Sequence, residues 1–297
     1  MKSLAFGETL WDIFSDSAQI GGTAFNAAAH LAKLGASSTL VSAVGCDKLG
    51  FEALDVAKGF GISCDMIELK KDLPTGTVEV SLDCGQPSYE IKENVAWDAI
   101  GISSEAFARI AANPPDCFIF GTLSQRSAFN RETLSKILDA LPPGVRRAYD
   151  INLRQRFHQP EWIERSLQRA TIVKVNEDEA KHLSRAIFGS ELKPEPFAAR
   201  LMKRHSQLEA VIITLGAEGS CALCPEGWIE VPGVKVEVVD AVGAGDSFIA
   251  ATLFALSKGH GFKEALSLAS RLGAFVASRR GAVPEYSSEI SALFAKL

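Results

Sequence analysis

Short apolar runs of strand length alternate along this chain with longer segments whose apolar residues recur at helical spacing. That alternation limits the fold more than any other feature. The runs SLAFG, STLVSAVG, CFIFG, RRAYDIN, TIVKVN and AVIITLG read as strands. Between them AFNAAAHLAKLG, DKLGFEALDVAKGFG, AFNRETLSKILDAL, EWIERSLQRA and EDEAKHLSRAIF read as helices. Strands alternating with helices predict an α/β chain whose mostly parallel sheet is covered on both faces. In such sheets a ligand sits beyond the carboxyl ends of the strands. The polar residues closing the runs are therefore the first site candidates: Gly7 and Glu8, Gly121 and Thr122, Asp150 to Asn152, Asn176, and Thr214 to Gly216. The 297 residues suffice for one large domain with its own core, and a single domain over 1–297 is expected.

Two pieces break the alternation. TGTVEVSLDCG and PSYEIKEN read as a hairpin around a Gly-containing turn, and TLWDIFSDSAQIGG has the same character. Together, over about 9–22 and 73–98, they predict a small separate β-sheet. Such a sheet must hide a face, which makes it a candidate lid or dimer surface. The last forty residues read as two helices.

Lysine and arginine total 31 against 36 aspartate and glutamate, a formal charge of −5 without a basic run. That argues against nucleic acid as a partner. It does not argue against a phosphate ligand, which backbone N–H groups can hold. Of the six cysteines only Cys221 and Cys224 form a CxxC, without the second pair a zinc site needs, so reduced buried thiols are expected. The opening MKSLAFGETLWDIF meets Glu8 and Asp12 before any long apolar run. Neither a signal peptide nor a membrane span is expected, which favours the cytosol.

Two glycine clusters carry chemistry. In DAVGAGDSF an apolar helix begins at GAGD. Its small residues permit close approach of a ligand, and the free N–H groups and dipole of a helix start favour negative charge. Asp246 at that start reads equally as a helix cap and as a proton acceptor, ionised at neutral pH if its pKa is ordinary. In GGTAFNAAAHLAKLG, Asn26 is a polar residue on an otherwise small, apolar helix, able to donate to and accept from a hydroxyl. Neither cluster is a P-loop, and no GxGxxG follows a strand.

These motifs resemble those of the ribokinase-like (PfkB) carbohydrate kinases. GGTAFNAAAHLAKLG, with Gly45 beyond it, is similar to their N-terminal signature and DAVGAGDSF to their C-terminal one. GETLWD (7–12), DINLR (150–154), KVNEDE (174–179) and ITLGAEG (213–219) agree in type and order. The resemblance implies a ribokinase-like doubly wound fold with a β-sheet lid, using ATP and Mg²⁺. It implies that Asp246 is the base that deprotonates a sugar hydroxyl, and that the N–H groups of Gly243, Ala244 and Gly245 form an anion hole. It implies that Asn176 and Glu179 organise Mg²⁺ and the phosphates largely through water. Without it, Glu179 reads as an acid favoured in a first helical turn. Thr214, Gly216 and Gly219, with Asn176, match nucleotide contacts. Asp12, matched to an acid ending the first strand, joins Gly22, Asn26, Arg154 and, in the hairpin, Tyr89 as sugar contacts.

One departure concerns a monovalent cation. Relatives bind one through the first acid of the C-terminal signature and nearby carbonyls, usually with Thr next; here Asp240 is followed by Ala241. K⁺ at Asp240 and the carbonyls near Val242 and Gly281 is carried as an expectation. GETLWD, DINLR and GTLS (121–124) are most similar to the fructokinase branch, implying phosphorylation of the 6-hydroxyl of D-fructose. The alternatives are 2-keto-3-deoxygluconate, whose carboxylate would suit Arg154, then a nucleoside, and a non-catalytic sugar sensor on the same fold. A homodimer through the lid is also expected.

Overall fold

The computed structural model describes residues 1–15, 17–83 and 86–297, and side chains outside 80–89. The strands are β1 (Lys2–Phe6), β2 (Leu10–Ile13), β3 (Ala18–Gly21), β4 (Ser37–Gly45), β5 (Ile62–Ser63), β6 (Ile67–Lys70), β7 (Gly76–Asp83), β8 (Gln86–Ile91), β9 (Cys117–Gly121), β10 (Arg146–Asp150), β11 (Ile172–Asn176), β12 (Ala210–Thr214), β13 (Gly219–Cys224) and β14 (Gly227–Pro232). The helices are α1 (Thr23–Lys33), α2 (Lys48–Gly59), α3 (Ser104–Ala112), α4 (Ala128–Ala140), α5 (Pro160–Leu167), α6 (Glu177–Phe188), α7 (Pro194–Arg204), α8 (Ala244–Ser257), α9 (Phe262–Ala277) and α10 (Ser288–Phe294).

The large sheet runs β14-β13-β12-β11-β10-β9-β1-β4-β5, with β6 also paired to β4. From β5 to β12 its pairings are parallel; β13 and β14 add an antiparallel edge. Alternate side chains of each strand enter two different cores, as a period of two requires. Leu4, Phe6, Phe118, Phe120, Val173 and Ile213 pack with α3 to α7 on one face. Ala5, Ile119, Ile172 and Ile212 pack with α1, α8, α9 and α10 on the other. This is the doubly wound arrangement predicted from the alternation. Cys221 and Cys224 are three apart on β13, so they enter opposite cores as free thiols, and burial pushes the Cys221 thiol up to about 12.

The small sheet runs β3-β2-β7-β8. Its strands lie inside the expected 9–22 and 73–98. Trp97, at the end of that span, is fully buried beneath the Arg126 guanidinium, 3.8 Å from its ring, in the core of the large sheet. The antiparallel pairing of β7 with β8 is the expected hairpin. Trp11 on β2 donates through Nε1 to the Leu49 carbonyl at 3.0 Å, tying the small sheet to α2. Asp12 lies on this β2, not at the end of the first strand as the motif match had implied. The chain crosses into the small sheet immediately after Gly7 and Glu8. No helix among the described residues is long and apolar enough to cross a membrane.

Candidate active site

A cleft of about 1420 Å³ opens beyond the carboxyl ends of β10, β11 and β12. It is lined by Asp12, Gly22, Asn26 and Arg154, by Thr214, Gly216 and Gly219, by Val234, Val236 and Val238, and by Asp246 and the Gly243–Gly245 turn. The cleft therefore brings together every expected ligand-contacting residue whose side chain is described, apart from Glu179. Tyr89 lies on β8, and its side chain is outside the described ones.

The chain enters α8 through Gly243, the N-cap, with φ +78°. A Cβ there would stand 2.4 Å from the Ala282 carbonyl oxygen, so conformation and contact both demand glycine. Gly245 is different. It is helical, and a Cβ would meet the Lys174 Nζ at 2.9 Å. The first α-helical bond runs from the Ser247 N–H to the Gly243 carbonyl at 2.8 Å, while the Ala244 N–H reaches the Ala241 carbonyl only at 3.4 Å. The residues of this first turn line the cleft, and a helix start leaves their N–H groups with little intrahelical use.

Asp246 is the third helical residue, and its side chain does not cap the helix. Its Oδ2 accepts from Asn26 Nδ2 at 2.8 Å across the α1–α8 contact. Small residues make that contact possible: Ala27, Ala28, Ala250 and Ala251 are all fully buried, so the two backbones approach closely. Burial pushes the Asp246 carboxyl up to about 7, and the nearby Asp150 adds to the rise. The Asn26 hydrogen bond, Lys174 and Arg154 oppose it. The ordinary pKa assumed from sequence is thus corrected: desolvation removes most of the preference for the anion. A base poised near neutrality is the more effective proton acceptor.

Glu8 and Thr23 also line the cleft. Buried Glu8 accepts the Thr23 N–H through Oε1 at 2.9 Å, and a Cβ on Gly22 (φ +113°) would strike the Glu8 carbonyl oxygen at 2.2 Å. Burial raises the Asp12 carboxyl to about 6, with Arg154 opposing the rise and Asp240 adding to it. Arg154 projects from a loop carrying two non-glycine residues in left-handed backbone, Asn152 (φ +40°) and Gln155 (φ +47°). That loop is pinned by Asn152 Nδ2 donating to the Thr23 hydroxyl and by the Leu153 N–H donating to Glu179 at 2.8 Å.

Asn176 and Glu179 form a capping box at the start of α6: Asn176 Oδ1 accepts the Glu179 N–H at 2.8 Å, and Glu179 Oε2 accepts the Asn176 N–H at 2.9 Å. Asn176 lines the cleft, whereas Glu179 sits buried behind it. Gly219 (φ +103°) is required by a crossing of chain segments, since a Cβ would stand 2.1 Å from the Val231 carbonyl oxygen. Asp240 accepts the Val242 N–H at 3.0 Å and the Gly281 N–H at 3.1 Å, joining the two loops with its own carboxylate.

Sequence reasoning passed over Lys174. It is buried on β11, and its Nζ lies 3.1 and 3.3 Å from the two carboxylate oxygens of the fully buried Asp150. The signal was present: a lysine stands mid-run in IVKVN, where a doubly covered strand is otherwise apolar.

The profile of the pfkB family carbohydrate kinases matches residues 2–288. The probable fructokinase-5 of Arabidopsis thaliana is 27% identical over 307 residues, covering 95% of this chain and 93% of that protein. The aminoimidazole riboside kinase of Salmonella typhimurium is 28% identical over 286 residues, covering 89% and 83%. Among solved structures, fructokinase with bound ATP from Xylella fastidiosa superimposes with a TM-score of 0.87 over 99% of this chain and 98% of that one. At 19% identity that likeness is one of fold.

Proposed function

The chain belongs to the pfkB family of carbohydrate kinases, and we propose that it transfers the γ-phosphoryl group of ATP to the 6-hydroxyl of D-fructose, with Asp246 as general base. The observation that carries this reading is a buried carboxyl, pushed up to about 7, beside a glycine turn that opens its N–H groups into the same cleft. ATP lies along the Thr214, Gly216 and Gly219 end. The sugar lies between Asp12, Asn26 and Arg154. Asp246 takes the hydroxyl proton as that oxygen attacks, and the Gly243, Ala244 and Gly245 N–H groups receive the charge on the transferring group. Mg²⁺ bound with ATP would offset phosphate charge. Asn176 and, behind it, Glu179 fit an ion held chiefly by phosphate oxygens and water, and among the described residues no cluster of three His, Cys, Asp or Glu side chains competes with that arrangement.

The electrostatics favour a neutral sugar. The carboxyls of Glu8, Asp12 and Asp246 can accept from the hydroxyl groups of such a sugar, with the Arg154 guanidinium donating beside them. Arg154 is also the feature that keeps 2-keto-3-deoxygluconate as the second reading. An ADP-release assay over a panel of sugars tests both: fructose is expected to turn over fastest, and a preference for the sugar acid would reverse the assignment. Measurable sugar binding with no turnover on any sugar would favour the sensor.

K⁺ at Asp240 belongs to the same reading: the carboxylate accepts the Val242 and Gly281 N–H groups and keeps lone pairs for a cation, so rates should be higher in K⁺ than in Na⁺, and equal rates would remove the cation. The small sheet closes over the sugar end as a lid, since Leu10, Val78 and Ile91 line the cleft, and closure would exclude water from the transfer. Pairing of two chains through this sheet, in the cytosol, belongs to the same reading; sedimentation showing only the 31.8 kDa chain would remove the dimer.

A further inference from the structure

Asn26 is not the only polar residue that α1 turns inward. His30 stands one helical turn further on, on the same face, and is fully buried. A buried imidazole needs a partner for each ring nitrogen, and both are close. Nε2 lies 2.9 Å from the Ala282 carbonyl oxygen and Nδ1 2.7 Å from the Tyr286 hydroxyl. A carbonyl oxygen can only accept, so Nε2 carries the ring proton and the bare Nδ1 accepts the Tyr286 O–H. Burial favours this neutral pair, lowering the His30 pKa to about 4 and raising that of Tyr286. Ala282 belongs to the irregular segment 278–287 between α9 and α10. Its carbonyl oxygen, Cα and Cβ are the three atoms that a Cβ on Gly243 would meet first, at 2.4, 2.6 and 2.7 Å. The glycine turn therefore rests on Ala282, whose irregular backbone must be held by its surroundings. Asp240 accepts the Gly281 N–H at 3.1 Å, and His30 donates to the carbonyl of the next residue. One face of α1 thus serves both parts of the candidate active site, Asn26 at the Asp246 carboxyl and His30 behind the turn that precedes it.

We propose that His30 is a positioning residue, which fixes Ala282 against Gly243 and so holds the anion-binding turn in register with Asp246. The proposal rests on the kinase reading above. His30 is not among the residues that line the cleft, so it acts through Ala282 and touches no reacting atom. Tyr286 orients the ring, and is itself held by the Lys33 ammonium 4.9 Å above its own ring and by the edge of Phe275 at 6.2 Å. Releasing Ala282 lets the turn shift. A displacement of about 1 Å in groups that meet a transition state costs about 10²-fold in rate. Binding of the ground state, spread over the rest of the cleft, is far less sensitive.

The test uses the full chain with Mg²⁺ and the sugar it turns over fastest. H30L removes the donor and should lower kcat about 10–10²-fold, with sugar KM and ADP affinity within about threefold of the parent. Affinity for ADP with aluminium fluoride, a mimic of the group in transfer, should fall in step with kcat. The rise of kcat/KM through about pH 7 should persist, since Asp246 keeps Asn26. H30Q, whose amide N–H can stand in for Nε2, should recover most of the lost kcat. A folded H30L chain with kcat within about threefold of the parent overturns the proposal. An H30Q chain no better than H30L, or a loss of ADP affinity as large as that of kcat, does the same. If H30L does not fold, the parent ring decides. Its ¹⁵N NMR spectrum should place the proton on Nε2; the Nδ1–H tautomer cannot donate to Ala282 and would overturn the proposal. A parent chain that releases no ADP on any sugar removes the kinase reading, and this proposal with it.

Discussion

The D246N chain is expected to lose kcat by about 10²–10⁴, the usual worth of a general base, while binding sugar and ATP nearly as the parent does. The substitution keeps shape and keeps an acceptor for Asn26 Nδ2, so the loss isolates proton acceptance. Asp246 must be ionised to act. Its carboxyl sits at about 7, so parental kcat/KM should rise with pH through about 7, and the D246N chain should lack that limb. Stability should move the opposite way. Folding raises this pKa from 3.8 to about 7, so the contribution from the protonated form is complete below pH 3.8 and is lost as pH climbs to about 7. At pH 8 the parent holds a buried anion that the D246N chain lacks, and D246N should melt a few degrees higher. A D246N chain with near-normal turnover would end the assignment; one that is inactive and also unfolded at pH 8 would show the residue to be structural.

The G243A chain is expected to lose kcat by about 10²–10³ through distortion of the anion hole, and to lose stability as well. Left-handed backbone costs an alanine roughly 1–2 kcal/mol. The contact is the larger obstacle, because a Cβ would lie 2.4 Å from the Ala282 oxygen and 2.6 Å from its Cα, and backbone cannot swing aside. Nor is the opposing segment free to yield. The Ala282 carbonyl meets His30 Nε2 at 2.9 Å, His30 Nδ1 meets the Tyr286 hydroxyl at 2.7 Å, and Asp240 holds the Gly281 N–H. Asparagine tolerates left-handed backbone well, so G243N separates the two causes. If contact dominates, G243N is as impaired as G243A. Recovery in G243N would assign the glycine to conformation alone.

Much of the fold was legible because strand and helix periods are local properties of the chain. CFIFG and TIVKVN became β9 and β11, and the alternation gave two faces and a cleft at the carboxyl ends. Asp12 carried two readings, the small-sheet piece 9–22 and a family match to the end of the first strand, and the pairing of β2 with β3 and β7 decided for the small sheet. Glu179 kept both of its meanings: it completes a capping box, as its position in a first turn suggested, and it stands behind Asn176 at the cleft. Lys174 was overlooked because its partner Asp150 is on the neighbouring strand, and only the register places them side by side.

The sequence by itself determined the alternation of strands and helices, the glycines at which the chain could turn, and the acid that would stand at the start of α8. Only the tertiary structure decided what that acid is. Asn26, Asp150 and Lys174 lie far from Asp246 in the chain, yet they and the burial they share set its proton affinity and leave its side chain no part in capping. The free energy of a carboxylate depends on what replaces its water, and that replacement exists only after the helices and strands have packed.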